Sequence, residues 1–566
     1  MASRGHRDTA KRRCAAISLT LLLVAHHAGA AATEERSLTE LRNTVVNLLQ
    51  ALVERGVVSR EQAEAMVRDA QNRAAEETAA QAKVEAAEAD AVRVPYVPEI
   101  VKDEIRKQVA AELAPQIASS VVDTAHREGW GVPAALPDWA RRVTLSADVR
   151  VRAQADTFAA ENVNPFAPPP PPPALPDPVY LDLEAINAAG GIARAGTDAF
   201  ANTTEDRQRL RARLRLGLTA DLGQGWNLGF RLATGSPLDP VSTNQTLGNY
   251  GGRFEFAVDQ AYIGWRGSLG SMHHQLDFVA GRFNNPWLAS DLIWDEDLAF
   301  EGANLRYRYV LGSSMDDDRS LSISAGAFPM AESELTSRDK WLFAGQLRFD
   351  WRIDPSSQFQ AAVGYYHFDR IAGKRNIFDS NLLDFTAPRF LRCCNTVFDI
   401  RNDNDPTTEL FALAADYHVA NLLLNYEHNV LGRYMFGVVG DYARNIGYDA
   451  DQVSTRVSSG LGVPVTVADR SNGYRVQFTF GRSDLAEAGA WRVGLGYRYL
   501  ERDAVLDAFT DSDFRLGGTD VEGFTVSGSY ALSPRAWLAL RYLSANEIDG
   551  PPLGIDVWQL DLNTRF

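Results

Sequence analysis

Apolar and polar residues alternate one by one through most of the chain beyond residue 141. From Trp491 to Tyr499, the residues Trp491, Val493, Leu495, Tyr497 and Tyr499 interleave with Arg492, Gly494, Gly496 and Arg498. Tyr474, Val476, Phe478 and Phe480 stand against Arg475, Gln477 and Thr479 in the same way, and Trp341, Phe343, Leu347, Phe349 and Trp351 against Gln346, Arg348, Asp350 and Arg352. Successive side chains of a strand point to opposite faces, so this period predicts strands with one apolar and one polar face. Aromatics gather at the predicted strand ends, where a membrane barrel carries its interfacial girdles.

A soluble sandwich produces the same alternation, and the connections decide between the two. Reading back from Phe566, the link from Ala545 to Gly554 is long, Leu532 to Ala536 short, Glu501 to Gly523 long and Ser483 to Ala490 short. From the front, Phe158 to Asp206 is long, Gly223 to Gly225 short and Gly235 to Gly252 long. Short turns on one side of a membrane and long loops on the other give that rhythm. The expected fold is a transmembrane antiparallel β-barrel over residues 141–566. Seventeen candidate strands can be counted, an odd number that would leave the two ends of the barrel on opposite sides. Either Leu410–Tyr417 and Val419–His428 form one long strand, giving about 16, the preferred count, or a hairpin lies between Tyr448 and Ala468, giving 18.

The first 140 residues follow other patterns. Arg4, Arg7, Lys11, Arg12 and Arg13 precede an apolar run from Ala15 to Val24 and then Ala28-Gly29-Ala30, which predicts a secretory signal peptide over residues 1–30. Leu41, Val45, Leu48, Leu49 and Leu52 recur at helical spacing, and Ser59-Arg60-Glu61-Gln62 is a capping box opening a second helix through Ala63, Met66 and Val67. Residues 31–94 are therefore expected to be a helical periplasmic segment, its Ala/Glu-rich end suited to a coiled coil. Beyond Pro95 and Pro98, Val101, Ile105, Val109, Leu113, Ile117 and Val121 repeat every four residues, which places a second amphipathic helix and linker in 95–140. Two readings of that helix stay open: a trimeric coiled coil, making the protein a homotrimer, or a single helix lying on the barrel mouth.

Composition narrows the classes further. No stretch beyond the extreme N-terminus has eighteen consecutive apolar residues, which excludes membrane-crossing helices but not strands. The net charge of −16 argues against a nucleic-acid partner. Cys14 precedes the apolar run, and Cys393 and Cys394 are too few for a zinc site, so no metal or cofactor is expected. Asp399–Asp405 and Asp507–Asp513 are rich in oxygen ligands but lack EF-hand spacing and read as solvated loops. Neither a Gly-x-Ser-x-Gly elbow nor His-Glu-x-x-His occurs, so no enzyme is expected. Pro168–Pro173 predict a stiff polyproline spacer in the first outer loop.

One strand carries an unusual charge pattern. In Arg209–Leu216, Arg209, Arg211, Arg213 and Arg215 share one face and Leu210, Ala212, Leu214 and Leu216 the other. An arginine facing lipid at the midplane costs about 2–4 kcal/mol, so the arginines are expected to face water. Arg142, Arg150 and Arg152 on the preceding strand, with Arg306 and Arg308 further on, extend the pattern into candidate pore-lining residues. A basic ladder favours anions in a pore. The opposing reading is that these arginines pair with lumen carboxylates such as Asp148, Glu255, Asp259 and Asp350 and brace the wall.

The terminal strand places Trp558, Leu560, Leu562 and Phe566 on one face, and a C-terminal Phe there is similar to the signal read by the barrel assembly machinery. With these residues in view, the mature chain resembles the "putative porin" family of Gram-negative bacteria. The resemblance runs through Val57-Val58-Ser59-Arg60-Glu61-Gln62-Ala63, Val92-Arg93-Val94-Pro95-Tyr96-Val97-Pro98, Leu136-Pro137-Asp138-Trp139 and Asp148-Val149-Arg150. It continues through Asp503-Ala504-Val505-Leu506, Phe509–Phe514, Gly528–Ser533 and Leu560-Asp561-Leu562-Asn563. The resemblance implies an outer-membrane channel, seated in lipid, for passive diffusion of small hydrophilic solutes. The alternative is a structural tether with a closed barrel whose N-terminal helices bind the cell wall or a partner.

Overall fold

A computed structural model describes residues 141–164, 181–311, 319–332, 339–374, 394–400, 410–430 and 432–566. The signal peptide, the N-terminal helices, the polyproline run and most of Asp399–Asp405 lie outside the described residues. Sixteen long strands join antiparallel into one closed sheet, to which the two-residue strand Gln245–Thr246 adds a seventeenth member. In chain order the long strands are β1 (Val143–Phe158), β2 (Arg207–Gly223), β3 (Trp226–Ala233), β4 (Ala257–Leu269), β5 (Ser271–Asn284), β6 (Ala299–Val310), β7 (Arg319–Ala331) and β8 (Lys340–Asp354). They continue as β9 (Ser357–Asp369), β10 (Tyr417–Val430), β11 (Tyr434–Asn445), β12 (Asn472–Gly481), β13 (Trp491–Leu500), β14 (Val521–Ser533), β15 (Ala536–Glu547) and β16 (Gly554–Arg565).

Strand β1 pairs with β2 on one side and β16 on the other, so the sheet has no free edge. Phe566 completes the seam: its N–H donates to the Ala147 carbonyl at 3.0 Å, and the Ala147 N–H donates back at 3.2 Å. The tight turns at 224–225, 270, 355–356 and 534–535 lie on the rim that carries both ends of the barrel, and the chain leaves β1, β9, β11 and β13 for its long connections at the other. The outward face keeps the expected alternation: Val149 and Val151 on β1, Leu210 and Leu216 on β2, and Trp558, Leu560 and Leu562 on β16 are all exposed. Such an apolar exterior on a sheet without a free edge is what hydrocarbon demands.

The strand count is 16, but for a different reason from either expectation. Of Leu410–Tyr417 only Tyr417 joins β10; Phe411–Leu413 pairs instead with Val397–Asp399 in a separate two-stranded sheet. The stretch from Tyr448 to Ala468 holds no hairpin but the helix Ala450–Leu461. Asp449 caps it by accepting from the N–H groups of Asp451 and Gln452, and Gly462, at φ 69°, ends it in the left-handed conformation. In the first outer loop, Leu183–Ala189 forms a short helix capped by Asp182.

The apolar core lies inside the barrel, toward the rim with the long loops. Leu292, Trp294, Phe328, Tyr366, Tyr417, Leu500, Phe514, Leu543 and Val557 belong to one buried cluster built from lumen-facing strand residues and inward-folded loops. Asn187 of the first loop donates to the Phe411 carbonyl and accepts from the Phe411 N–H, each at 2.9 Å. The loops so joined rise from β1–β2 and β9–β10, nearly opposite one another in the ring of sixteen.

Candidate functional site

The register sets the arginines side by side. Arg150 lies opposite Arg213 and Arg152 opposite Arg211 across the β1–β2 ladder. Because their neighbours Val149, Val151, Leu210 and Leu216 face outward, these guanidiniums occupy the lumen side, where no lipid desolvates them. Four of the six ladder arginines pair with carboxylates. Arg152 forks onto Asp561 at 2.7 and 2.9 Å and reaches both oxygens of Asp513 at 2.9 Å. Arg209 meets Asp156 at 2.6 Å. Arg213 and Arg215 share Asp148, at 3.1 and 2.8 Å, and Asp297, at 3.5 and 3.1 Å.

Arg150 and Arg211 differ. Arg150 donates to Asn244 at 2.9 Å, and Arg211 donates to Gln154 and Ser242 at 3.4 and 3.3 Å. Among the described residues, neither has a carboxylate within ion-pair distance. Gln154 belongs to β1, whereas Ser242 and Asn244 come from the loop after β3, where Gln245 and Thr246 pair with Ala212 and Arg211 of β2 and so hold them against the ladder.

Two inward loops narrow the lumen. Residues 285–298, between β5 and β6, cross it: Leu288 exchanges hydrogen bonds with Gln346 of β8, Ser290 donates to Asp441 of β11, and Asp291 pairs with Arg475 of β12 and Arg498 of β13. The far end of the same loop returns to β2 through Asp297. Trp294 anchors it, lying edge-on to Phe300 and Tyr366 with centroids 5.0 and 5.2 Å apart. The second loop, 501–520, drops Asp513 onto Arg152 and Arg541, while the Arg498 guanidinium sits 4.7 Å from the centre of the Phe514 ring. The loops clasp each other, since the Asp295 N–H donates to the Phe509 carbonyl and the Ser512 N–H to the Asp295 carboxylate, each at 2.8 Å.

Electrostatics differ sharply among these acids. Burial pushes the Asp513 carboxyl up, but Arg152 and Arg541 outweigh it and hold the group well below the usual carboxylate range. Burial also opposes ionisation of Asp291, yet Arg475 and Arg498 lower it to about 2. Asp295 goes the other way: burial, then Asp297 and Asp511, raise it well above its ordinary value. A carboxyl whose pKa is raised by folding binds its proton more tightly in the folded chain, so its contribution is present at low pH and is lost as pH rises through the folded value. The melting temperature of detergent-solubilised wild type, relative to Asp295→Asn, is therefore expected to fall progressively as pH rises above about 4, the ordinary value of an aspartate in the unfolded chain. A difference that stays constant across that range contradicts the assignment.

The remaining expected residues fall elsewhere. Arg306 pairs with Asp277 and Arg308 donates to Ser320 at 3.1 Å, both on β6, four strands from β2 and separate from the ladder. Arg142 is exposed at the turn rim, outside β1. Of the suggested bracing acids, Asp148 braces the ladder, whereas Asp259 pairs with Arg231 and Asp350 with Arg348. Glu255 lies exposed in the loop before β4. Asp507–Asp513, expected as a solvated loop, is instead buried inside the barrel, with Asp511 and Asp513 paired with arginines. The sequence reading missed Asp297, Asp513 and Asp561 as partners of the ladder. Its available signal was Leu292–Leu298, an aromatic and acidic run too apolar for a solvated turn.

A family model described as "Putative porin" matches residues 42–566. No curated protein matches significantly. Among solved structures, the high-pH structure of Pseudomonas putida OprB is 10% identical, with a TM-score of 0.41, covering 75% of this chain and 95% of that one. The outer-membrane channel DcaP of Acinetobacter baumannii is 13% identical, with a TM-score of 0.36, covering 75% and 97%. Salmonella typhi OmpF in complex with daunomycin is 8% identical, with a TM-score of 0.38, covering 75% and 97%.

Proposed function

Because the chain belongs to the "putative porin" family, an outer-membrane family, we propose that it forms a water-filled channel through which small hydrophilic solutes diffuse passively. The observation that carries this reading is the closed barrel with an apolar exterior and a charged lumen crossed by residues 285–298. A loop held across the lumen leaves a constricted passage, and passage width and wall charge govern what permeates. No covalent step is part of this reading. Liposomes loaded with the purified protein should swell in isotonic solutions of small sugars; liposomes that stay inert would favour the closed-barrel tether.

Selectivity in this reading is weaker than a ladder of six free arginines would give. Carboxylates neutralise Arg152, Arg209, Arg213 and Arg215, which leaves the fields of Arg150 and Arg211 to favour anions. Replacing both with Ser is expected to move the reversal potential in a salt gradient toward cations, with the wild-type preference shrinking as salt screens the wall. A wild-type channel already selective for cations contradicts this assignment.

A further inference from the structure

A hollow in the lumen wall takes no part in the ladder. It lies across β3–β6 beneath the start of the crossing loop, and its volume is about 270 Å³. The register builds it in rows: Asn227, Gly264, Val279 and Asn304 lie side by side on successive strands, with Gly229 and Tyr262 in the next row and Asp277 and Arg306 in the row on the other side. The glycines are what make it concave. A Cβ at Gly229 would stand 2.3 Å from the Tyr262 ring, and one at Gly264 would stand 2.7 Å from the Asn227 side-chain oxygen. Tyr262 and Asn227 therefore lie flat along the wall, and the outer face of the phenol ring is left toward the cavity.

The polar groups here are unlike those of the ladder. Arg306 and Arg266 are both paired with Asp277, one on each carboxylate oxygen. The neutral groups are not: Asn304 is 5% exposed and its side-chain oxygen has no hydrogen-bond partner. Among the described residues, Asn227 and the Tyr262 hydroxyl likewise have no side-chain hydrogen bond. Buried amides are normally satisfied, and one left open beside a cavity marks a place for a hydrogen-bonding guest. Uncharged donors and acceptors around an aromatic face suit a guest with hydroxyls at its rim and C–H groups on its flat side. We propose that this hollow is a subsite for an uncharged polyhydroxylated solute the size of a sugar ring, stacked on Tyr262 and hydrogen-bonded to Asn227 and Asn304. It rests on the channel reading and deepens it by naming a solute class.

The test is current interruption in planar bilayers holding the purified full-length protein, with maltose, gluconate and a polyethylene glycol of similar size added in turn. Maltose should interrupt the current in a saturable way, while the polyethylene glycol lowers it without saturation. Asn304→Ala and Tyr262→Ala should each raise the half-saturating maltose concentration about tenfold, the equivalent of one lost hydrogen bond or ring contact. Tyr262→Phe, which keeps the ring, should retain most of the effect of maltose. Thr479→Ala, on the opposite wall, should match wild type. Channels that open but show no saturable response to maltose overturn the subsite alone, as do alanine variants with wild-type half-saturation. So does gluconate acting at lower concentration than maltose, since that would assign the hollow to anions through Arg306. A protein that forms no channels refutes the channel reading itself.

Discussion

Replacing Arg152 with Ala is expected to destabilise the folded barrel by about 3–5 kcal/mol, the usual cost of breaking a buried ion pair from one side. The side chain is 1% exposed and makes four short hydrogen bonds, two to Asp561 on the wall and two to Asp513 in the loop 501–520. Its removal leaves two buried carboxylates facing each other, with Arg541 as the closest remaining cation for Asp513. Two consequences are separable. Thermal melts followed by heat-modifiable gel mobility should show the loss of stability, and single-channel records should show larger or noisier openings as the loop loses its tether. Adding Asp513→Asn to Arg152→Ala should recover part of the stability, because the double substitution removes one stranded charge; a strictly additive pair would show that the two side chains do not interact.

The second large effect is expected at Trp294. This residue is 3% exposed and makes aromatic contacts with Phe300, Tyr366, Phe368 and Phe509, thereby fixing the crossing loop to the β6–β9 wall and to the second loop. Truncating a buried Trp to Ala costs about 3–5 kcal/mol through lost burial and the cavity left behind. The sixteen strands do not depend on that contact, so the barrel should still assemble and migrate as a heat-modifiable species. The loop should loosen instead, raising unit conductance and admitting larger sugars in swelling assays. Unchanged conductance in an assembled Trp294→Ala barrel would mean that this loop does not set the width of the passage.

How far the chain could be read before its structure was known follows from how local each signal is. A strand between lipid and lumen meets two environments, so Leu210, Leu216, Trp558 and Leu560 declare their face by position alone, and the closed barrel was legible from alternation and loop rhythm. The helix Ala450–Leu461 was legible in principle through Asp449, the spacing of Val453 and Val457, and Gly462, but the period-two strands on either side made a hairpin the competing reading of that stretch. The side chains facing the lumen were legible too; their partners were not. Arg152 and Asp513 are 361 residues apart and Arg152 and Asp561 409 apart. Nothing in the local pattern distinguishes an arginine held by neutral partners, such as Arg211, from one braced by carboxylates, such as Arg213. That distinction arises only when loops fold inward, and inward folding depends on contacts such as Trp294 with Tyr366 that no periodicity encodes.

The central claim is a passage through the barrel, and single-channel recording of the purified protein in a planar bilayer tests it most directly. Stepwise openings with a linear current-voltage relation are expected, with a reversal potential in a salt gradient displaced modestly toward anions. A correctly assembled, heat-modifiable barrel that inserts yet carries no current would contradict the account.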